Sequence, residues 1–272
     1  MIGCCVEYCN SIGCGLFTKI TAEGPLIVKY SSDLRSLRSL RSLIIDIFQV
    51  WYDLPSDVFF NAISSIDRFL AKMKAQPKHL SCIAVASFHL ACLQHQRLQQ
   101  EQVHLHKKDP NAGPSIVTVP EPLDLVNISQ SRCSPSDLLR MRDILALKLE
   151  TNPGAGPEPP ITPLTMLRLM FNVSRAAANH LGLTDLLPEA SLPDQLLHQL
   201  EILACDSLTL QHRPAEVALA LLATNFQQRA TREPGHSTAL MGFISELQKY
   251  CNVSLKYLLF CEILQDMKKT TK

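Results

Sequence analysis

Three groups of side chains in this 272-residue chain have the types and spacing that could do chemistry. His89, Cys92 and His95 stand at i, i+3 and i+6, with His104 and His106 beyond them. Imidazole and thiolate are zinc ligands, and a cysteine with a histidine and a distant carboxylate could form a nucleophile pair. Neither constellation is completed. No fourth ligand follows, nothing marks an oxyanion hole or an elbow turn, and there is no Gly-rich phosphate loop. Cys4, Cys5, Cys9 and Cys14 form the second group. They could hold a metal or carry palmitate, but no histidine or second cysteine pair completes a zinc pattern. The third group is an acid and a base, Asp67 and Arg68, set directly against apolar residues in DRFLAKMKAQPKHL (67–80). These residues predict no catalysis, no cofactor and no metal.

The bulk properties narrow the partners. Charge is balanced, 26 basic residues against 25 acidic, whereas a chain that grips nucleic acid along its length carries a basic excess. Direct nucleic-acid binding is not expected. No apolar run approaches the ~20 residues that span a bilayer. The stretch MIGCCVEYCNSIGCGLF has neither the charged region nor the long apolar region of a secretory signal, so the ten cysteines are expected as reduced thiols.

The elements that must position these groups are helices. Apolar residues recur at helical spacing, and strand-like alternation is nearly absent. Residues 34–53 place Leu37, Leu40, Leu43, Ile44, Ile47, Phe48 and Trp51 at that spacing. A second helix, with Ser56 as its expected N-cap, carries Val58, Phe59, Ala62, Ile63, Ile66, Phe69, Leu70 and Met73 on one broad face. Asp67 and Arg68 fall near its C-terminal end and are expected to serve as a structural ion pair between helices. Pro77 suits a first helical turn. The small-residue run SCIAVASFHLAC that follows is apolar all round, which marks a central helix. Residues 100–119 read as an exposed loop, since DPNAGPS is rich in turn formers. Ser134 is the expected N-cap of a helix through Leu138, Met141, Ile144, Leu145 and Leu149. TNPGAGPEPPITP (151–163) reads as a linker. Beyond it helices are expected at 163–181, 193–206, 214–229, 237–250 and 253–267, so two all-helical halves flank one Pro-rich connection.

With these elements placed, DRFLAKMKAQPKHLSCIAVASFHLA resembles the cyclin box, and its first part is most similar to cyclin G. VNISQSRCSPSDLLRMRDILALKLE resembles the fourth and fifth cyclin-box helices, including Leu-Arg-Met at 139–141. RPAEVALALLATNF resembles the core helix of a second cyclin fold. The resemblance implies an all-α chain of tandem five-helix cyclin folds: a loose tail over 1–30, a cyclin box over 31–150 with an inserted loop at 100–119, a linker over 151–163, and a divergent second fold over 164–268. It implies a non-enzyme, a regulatory binding subunit of a cyclin-dependent protein serine/threonine kinase, of conventional or atypical kind, acting in cell-cycle control in nucleus and cytoplasm. Two alternatives go with it: a kinase-independent adaptor that recruits protein phosphatase 2A B′ subunits, and a cyclin-fold transcriptional adaptor.

The sequence departs from the family pattern at the positions that matter for a kinase. Aligned from DRFL without gaps, the kinase-anchoring lysine of the third cyclin-box helix is replaced by Leu93, and the anchoring glutamate of the fifth by Arg142. A charge reversed at a desolvated interface costs on the order of 3–5 kcal/mol, so weak kinase activation is expected. The substrate-docking motif of the first cyclin-box helix is represented by the repeat LRSLRSLRS. Leu37, Arg38, Leu40 and Arg41 are its candidate docking residues, with the motif arginine at either Arg38 or Arg41. The other reading of these arginines is a solvated basic stripe.

Overall fold

The computed structural model describes residues 41, 43, 44, 54–105, 118–149, 160–205, 209, 212–232 and 234–253. The described residues form helices and turns, and they fall into two units. One comprises the residues from Arg41 to Pro160 together with those of Ala204–Leu210; the other comprises Ile161–Leu203 and the residues from His212 onward.

In the first unit Arg41, Leu43 and Ile44 are helical, followed by α1 (Ser56–Lys72), a 3-10 turn at Pro77–His79, α2 (Leu80–Leu105), α3 (Pro122–Ser129) and α4 (Pro135–Leu149). α1 begins at Ser56 itself, with Pro55 in the capping position and no side-chain capping bond. Ser56 is therefore the first helical residue and not the cap: proline's fixed φ presets the extended entry instead. Pro77 opens the 3-10 turn, and α2 starts at Leu80. α2 is the central helix. Phe88, Ala84, Val85, Ala86, Ala91 and Cys92 are wholly buried, and α1, α3 and α4 all pack against it. Small side chains on every side of α2 are what let three helices approach one. Its C-terminal part runs through Leu105, so the first residues of the expected 100–119 loop are helical. The stretch QRLQQEQVHL holds good helix formers and no glycine or proline, and its polarity marks an emergent helix end instead of a loop. Residues 106–117 and the tail over 1–30 lie outside the described residues.

α4 starts as expected. The Ser134 hydroxyl accepts from the Asp137 N–H at 3.1 Å, and Asp137 Oδ2 accepts in return from the Ser134 N–H at 3.1 Å and its hydroxyl at 2.7 Å. This reciprocal bonding satisfies the donors that a helix start leaves open.

The second unit holds α5 (Pro163–His180), a 3-10 turn at Thr184–Leu186, α6 (Asp194–Ala204), α7 (Pro214–Arg232), a 3-10 turn at Pro234–His236 and α8 (Ser237–Cys251). The Thr162 hydroxyl caps α5 by accepting from the Thr165 N–H at 3.2 Å. α7 is buried from Ala215 to Thr224 and again at Phe226, and both α5 and α8 pack on it. Each unit is thus built around one helix that has almost no solvent face. The expected helix at 253–267 and the linker residues 151–159 lie outside the described residues.

Candidate functional site

Asp67 is on α1 and is almost wholly buried. Its partner is Arg41, whose Nη2 donates to Asp67 Oδ2 at 2.5 Å. The expected pairing of Asp67 with Arg68 is corrected here: Asp67 is held by a base 26 positions earlier. The reason is geometric. Asp67 points into the core, where the buried Arg41 reaches it, while Arg68 stands about 100° further round the helix and is only half-buried. Arg41 Nη1 also donates to the Ala204 carbonyl at 2.8 Å and the Thr209 hydroxyl at 3.2 Å, both in the 204–210 segment of the same unit. Burial pushes the Asp67 carboxyl above its ordinary value, and the Arg41 guanidinium opposes that shift. Asp67 Oδ1 has no hydrogen-bond partner, so a single oxygen carries the pair.

This geometry also bears on the LRS repeat. Arg41 is 3% exposed, and its guanidinium is used inside the unit. Arg41 is therefore a structural arginine, and its expected place in a docking patch is corrected: a buried guanidinium hydrogen-bonded to Asp67, Ala204 and Thr209 offers nothing to a partner. Leu37, Arg38 and Leu40 lie outside the described residues.

The two anchor positions lie on α2 and α4, the pair of helices that pack directly together. Leu93 sits where α2 emerges from the core, half-buried, one turn beyond His89. Arg142 is half-buried on α4. Its Nε and Nη2 donate to Asp143 Oδ1 at 2.9 and 2.6 Å. The reversed charge at position 142 is therefore clasped by an acid one residue further on, and Asp143 remains mostly exposed.

His89 on α2 lies within electrostatic reach of Arg142 and Asp143 on α4. It is buried, and its Nδ1 has no hydrogen-bond partner. Burial lowers its proton affinity most, the Arg142 charge lowers it further, and Asp143 partly restores it, leaving the imidazole at about 4. At neutral pH it is an uncharged core side chain. Cys92 is likewise buried, with its thiol pushed up to about 12. Among the described residues no group of three or more His, Cys, Asp and Glu side chains is placed to hold a metal.

Around these positions α4 leaves apolar side chains in solvent. Ile144 and Leu147 are 43% and 67% exposed, while Leu138, Leu145 and Leu149 on the opposite side are buried. The Leu-Arg-Met residues line neither side uniformly: Leu139 and Met141 are half-buried, and Arg140 reaches back to pair with Asp137. Sequence reasoning missed three features: the Arg41–Asp67 pairing, the Arg142–Asp143 clasp and the coupling of His89 to Arg142. Only the clasp had a readable signal, the adjacent arginine and aspartate of MRDIL.

The comparisons with known proteins agree with this architecture. The family described as cyclin, N-terminal domain, matches residues 27–152. The chain is 33% identical over 216 residues to "Cyclin G" of Drosophila melanogaster, covering 77% of this chain and 34% of that protein. It is 28% identical over 214 residues to "Cyclin-G1" of Bos taurus, covering 79% and 61% of the two. With "Cyclin-G2" of Homo sapiens it shares 32% identity over 167 residues, covering 61% and 40%. The chain thus spans between about a third and three fifths of the length of these relatives.

Proposed function

We propose that this cyclin G-like member of the cyclin family, with a cyclin N-terminal domain over residues 27–152, is a regulatory protein, a divergent cyclin that binds a cyclin-dependent protein kinase weakly. In this reading it acts in cell-cycle control, in nucleus and cytoplasm, as a binding subunit with no chemistry of its own. The observation that carries the reading is the state of Arg142. Where the family resemblance puts an acidic anchor, a guanidinium stands, bonded through two nitrogens to Asp143. A kinase surface shaped for an acid at that position meets a base that is already satisfied, and a hydrophobic Leu93 where it meets a lysine in other cyclins. Binding then rests on apolar contact, to which the exposed Ile144 and Leu147 contribute. Activation is a population shift limited by the difference in affinity for the two kinase states, so losing both charged anchors reduces it directly.

The test is capture of the wild-type chain beside the double variant Leu93→Lys with Arg142→Glu, on cyclin-dependent kinases and on B′ subunits of protein phosphatase 2A. Weak kinase retention by the wild type, strengthened in the double variant, is the expected result. Retention of a B′ subunit by both forms, with no kinase on either, replaces this reading with the adaptor. Strong wild-type kinase binding that the double variant abolishes overturns the claim that the face is disabled.

A further inference from the structure

α4 has two apolar sides. Leu138, Leu145 and Leu149 are buried where α4 packs on α1, α2 and α3. Ile144 and Leu147 stand in solvent on the other side. An exposed leucine alone means little, but these two have a pattern around them. In a parallel two-stranded coiled coil, positions a and d make the seam and the charged positions g and e flank it. DILALK over 143–148 puts Asp143 at g, Ile144 at a, Leu147 at d and Lys148 at e. An isoleucine at a with a leucine at d is the combination that favours two strands. The flanking charges remain usable. Asp143 is mostly exposed, and both Arg142 bonds end on its Oδ1, which leaves Oδ2 to accept elsewhere. Lys148 is exposed; among the described residues its backbone carbonyl is engaged, by Lys72 Nζ at 3.1 Å, and its ammonium forms no ion pair. Toward the start of α4 the next a and d positions hold Asp137 and Arg140, which pair with each other. The seam is therefore one heptad long.

We propose that this face of α4 pairs with the same face of a second copy of the chain, the two helices lying parallel, with Ile144 and Leu147 in the seam and Asp143 of each copy bonded to Lys148 of the other. Charge complementarity selects the occupant. In a parallel pair the g residue of one strand meets the e residue five positions on in the other. Asp143 and Lys148 are five positions apart, so a twofold axis makes the ion pair twice from one pattern. An antiparallel pair would set g against g and e against e, which places Asp143 against Asp143 and Lys148 against Lys148. The charges therefore fix the direction as well as the partner. One heptad buries an area at the small end for a specific interface, so the pair forms and separates readily. It covers the two apolar side chains on which the kinase reading draws, so a paired chain is withheld from a kinase. The pairing itself does not depend on that reading.

The experiment is sedimentation equilibrium of the full chain alone, at low ionic strength and with a reducing agent present so that no disulfide contributes. Concentrations run from about 10 μM to about 1 mM, the range a weak interface occupies. The expected result is a mass that rises from one chain toward two. Asp143→Lys and Lys148→Asp each turn two attractions into two repulsions, and each is expected to weaken self-association at least about tenfold. Mixed one to one, the two variants are expected to associate about as well as the wild type, because every repulsion is then replaced by an attraction. Both changes lie on the exposed side of α4, and an unchanged urea midpoint checks that the fold is kept. A wild type that stays monomeric throughout overturns the proposal. So does association that neither single change weakens, since the contact then lies on another face. A mixture that associates no better than its two components overturns it as well, because positions 143 and 148 then do not meet.

Discussion

Arg41 and Asp67 meet at 2.5 Å inside the first unit although 26 residues separate them in the chain. The pair joins the residues ahead of α1 to α1 itself, and Arg41 extends it to the Ala204 carbonyl. One guanidinium thus holds three segments distant in sequence. In a low-dielectric interior such a pair adds little over well-packed apolar side chains, but breaking it from one side is costly, because the remaining charge has no water to turn to.

Asp67→Asn is therefore expected to lower stability by about 3–5 kcal/mol, since it leaves the Arg41 charge buried with no counter-charge. Replacing both partners, as Arg41→Met with Asp67→Leu, is expected to cost less than either single charge removal. Urea unfolding at constant slope reads both effects. Equal midpoints for wild type and Asp67→Asn would show that the pair does not hold the unit together.

His89 makes the fold sensitive to acid. Its folded proton affinity is depressed from near 6.5 to about 4. The unfolded chain therefore binds the proton first as pH falls, and unfolding gains from it. The stability contributed by neutral His89 is fully present above pH 6.5 and is lost as pH falls through about 4. The limit of this effect is about 3 kcal/mol. His89→Leu is expected to flatten the fall in stability between those values, with denaturant midpoints at successive pH as the measurement. A variant with the same acid slope as the wild type would assign the sensitivity to other groups.

Arg142 and His89 can be tested against each other without any partner. The Arg142 charge helps hold the imidazole neutral. Arg142→Ala is expected to raise the His89 pKa, and Arg142→Glu to raise it further, because an attraction then replaces a repulsion. Proton NMR titration of the His89 ring reads the shift directly. An unmoved titration in Arg142→Glu would mean that position 142 lies beyond electrostatic reach of His89 on α2.

How far the residues alone carried this description depends on the range of the interaction. Helix positions, the central place of α2 and the Ser134 cap were legible because periodicity, small-residue runs and capping patterns are local. The run SCIAVASFHLAC is buried over nearly its whole length, as its composition requires. The partner of Asp67 was not legible, because three arginines in an LRS repeat offer the same local pattern and only tertiary packing selects Arg41. The extent of α2 was misjudged where helix-forming polar residues leave the core, since polarity there reports exposure and not the end of the helix.

Two glycines provide a test in which one substitution has opposite signs. α5 ends in a left-handed turn: Gly182 has φ of 72°, its N–H donates to the Asn179 carbonyl at 3.1 Å, and the Leu183 N–H reaches the Ala178 carbonyl at 2.8 Å. No atom outside Gly182 and its two chain neighbours lies within 4 Å of where a Cβ would stand, so an added methyl meets no packed neighbour and the cost is one of backbone conformation. Gly182→Ala is expected to destabilise by about 1–2 kcal/mol. Gly242 sits inside α8 and is also open around its Cβ direction. There alanine is expected to stabilise by about 0.5–1 kcal/mol, because it restricts the unfolded chain and favours the helix. Thermal or urea unfolding of the two variants beside the wild type measures both. Shifts of the same sign would mean that α5 does not end in the Schellman turn at Gly182, or that α8 does not run unbroken through Gly242.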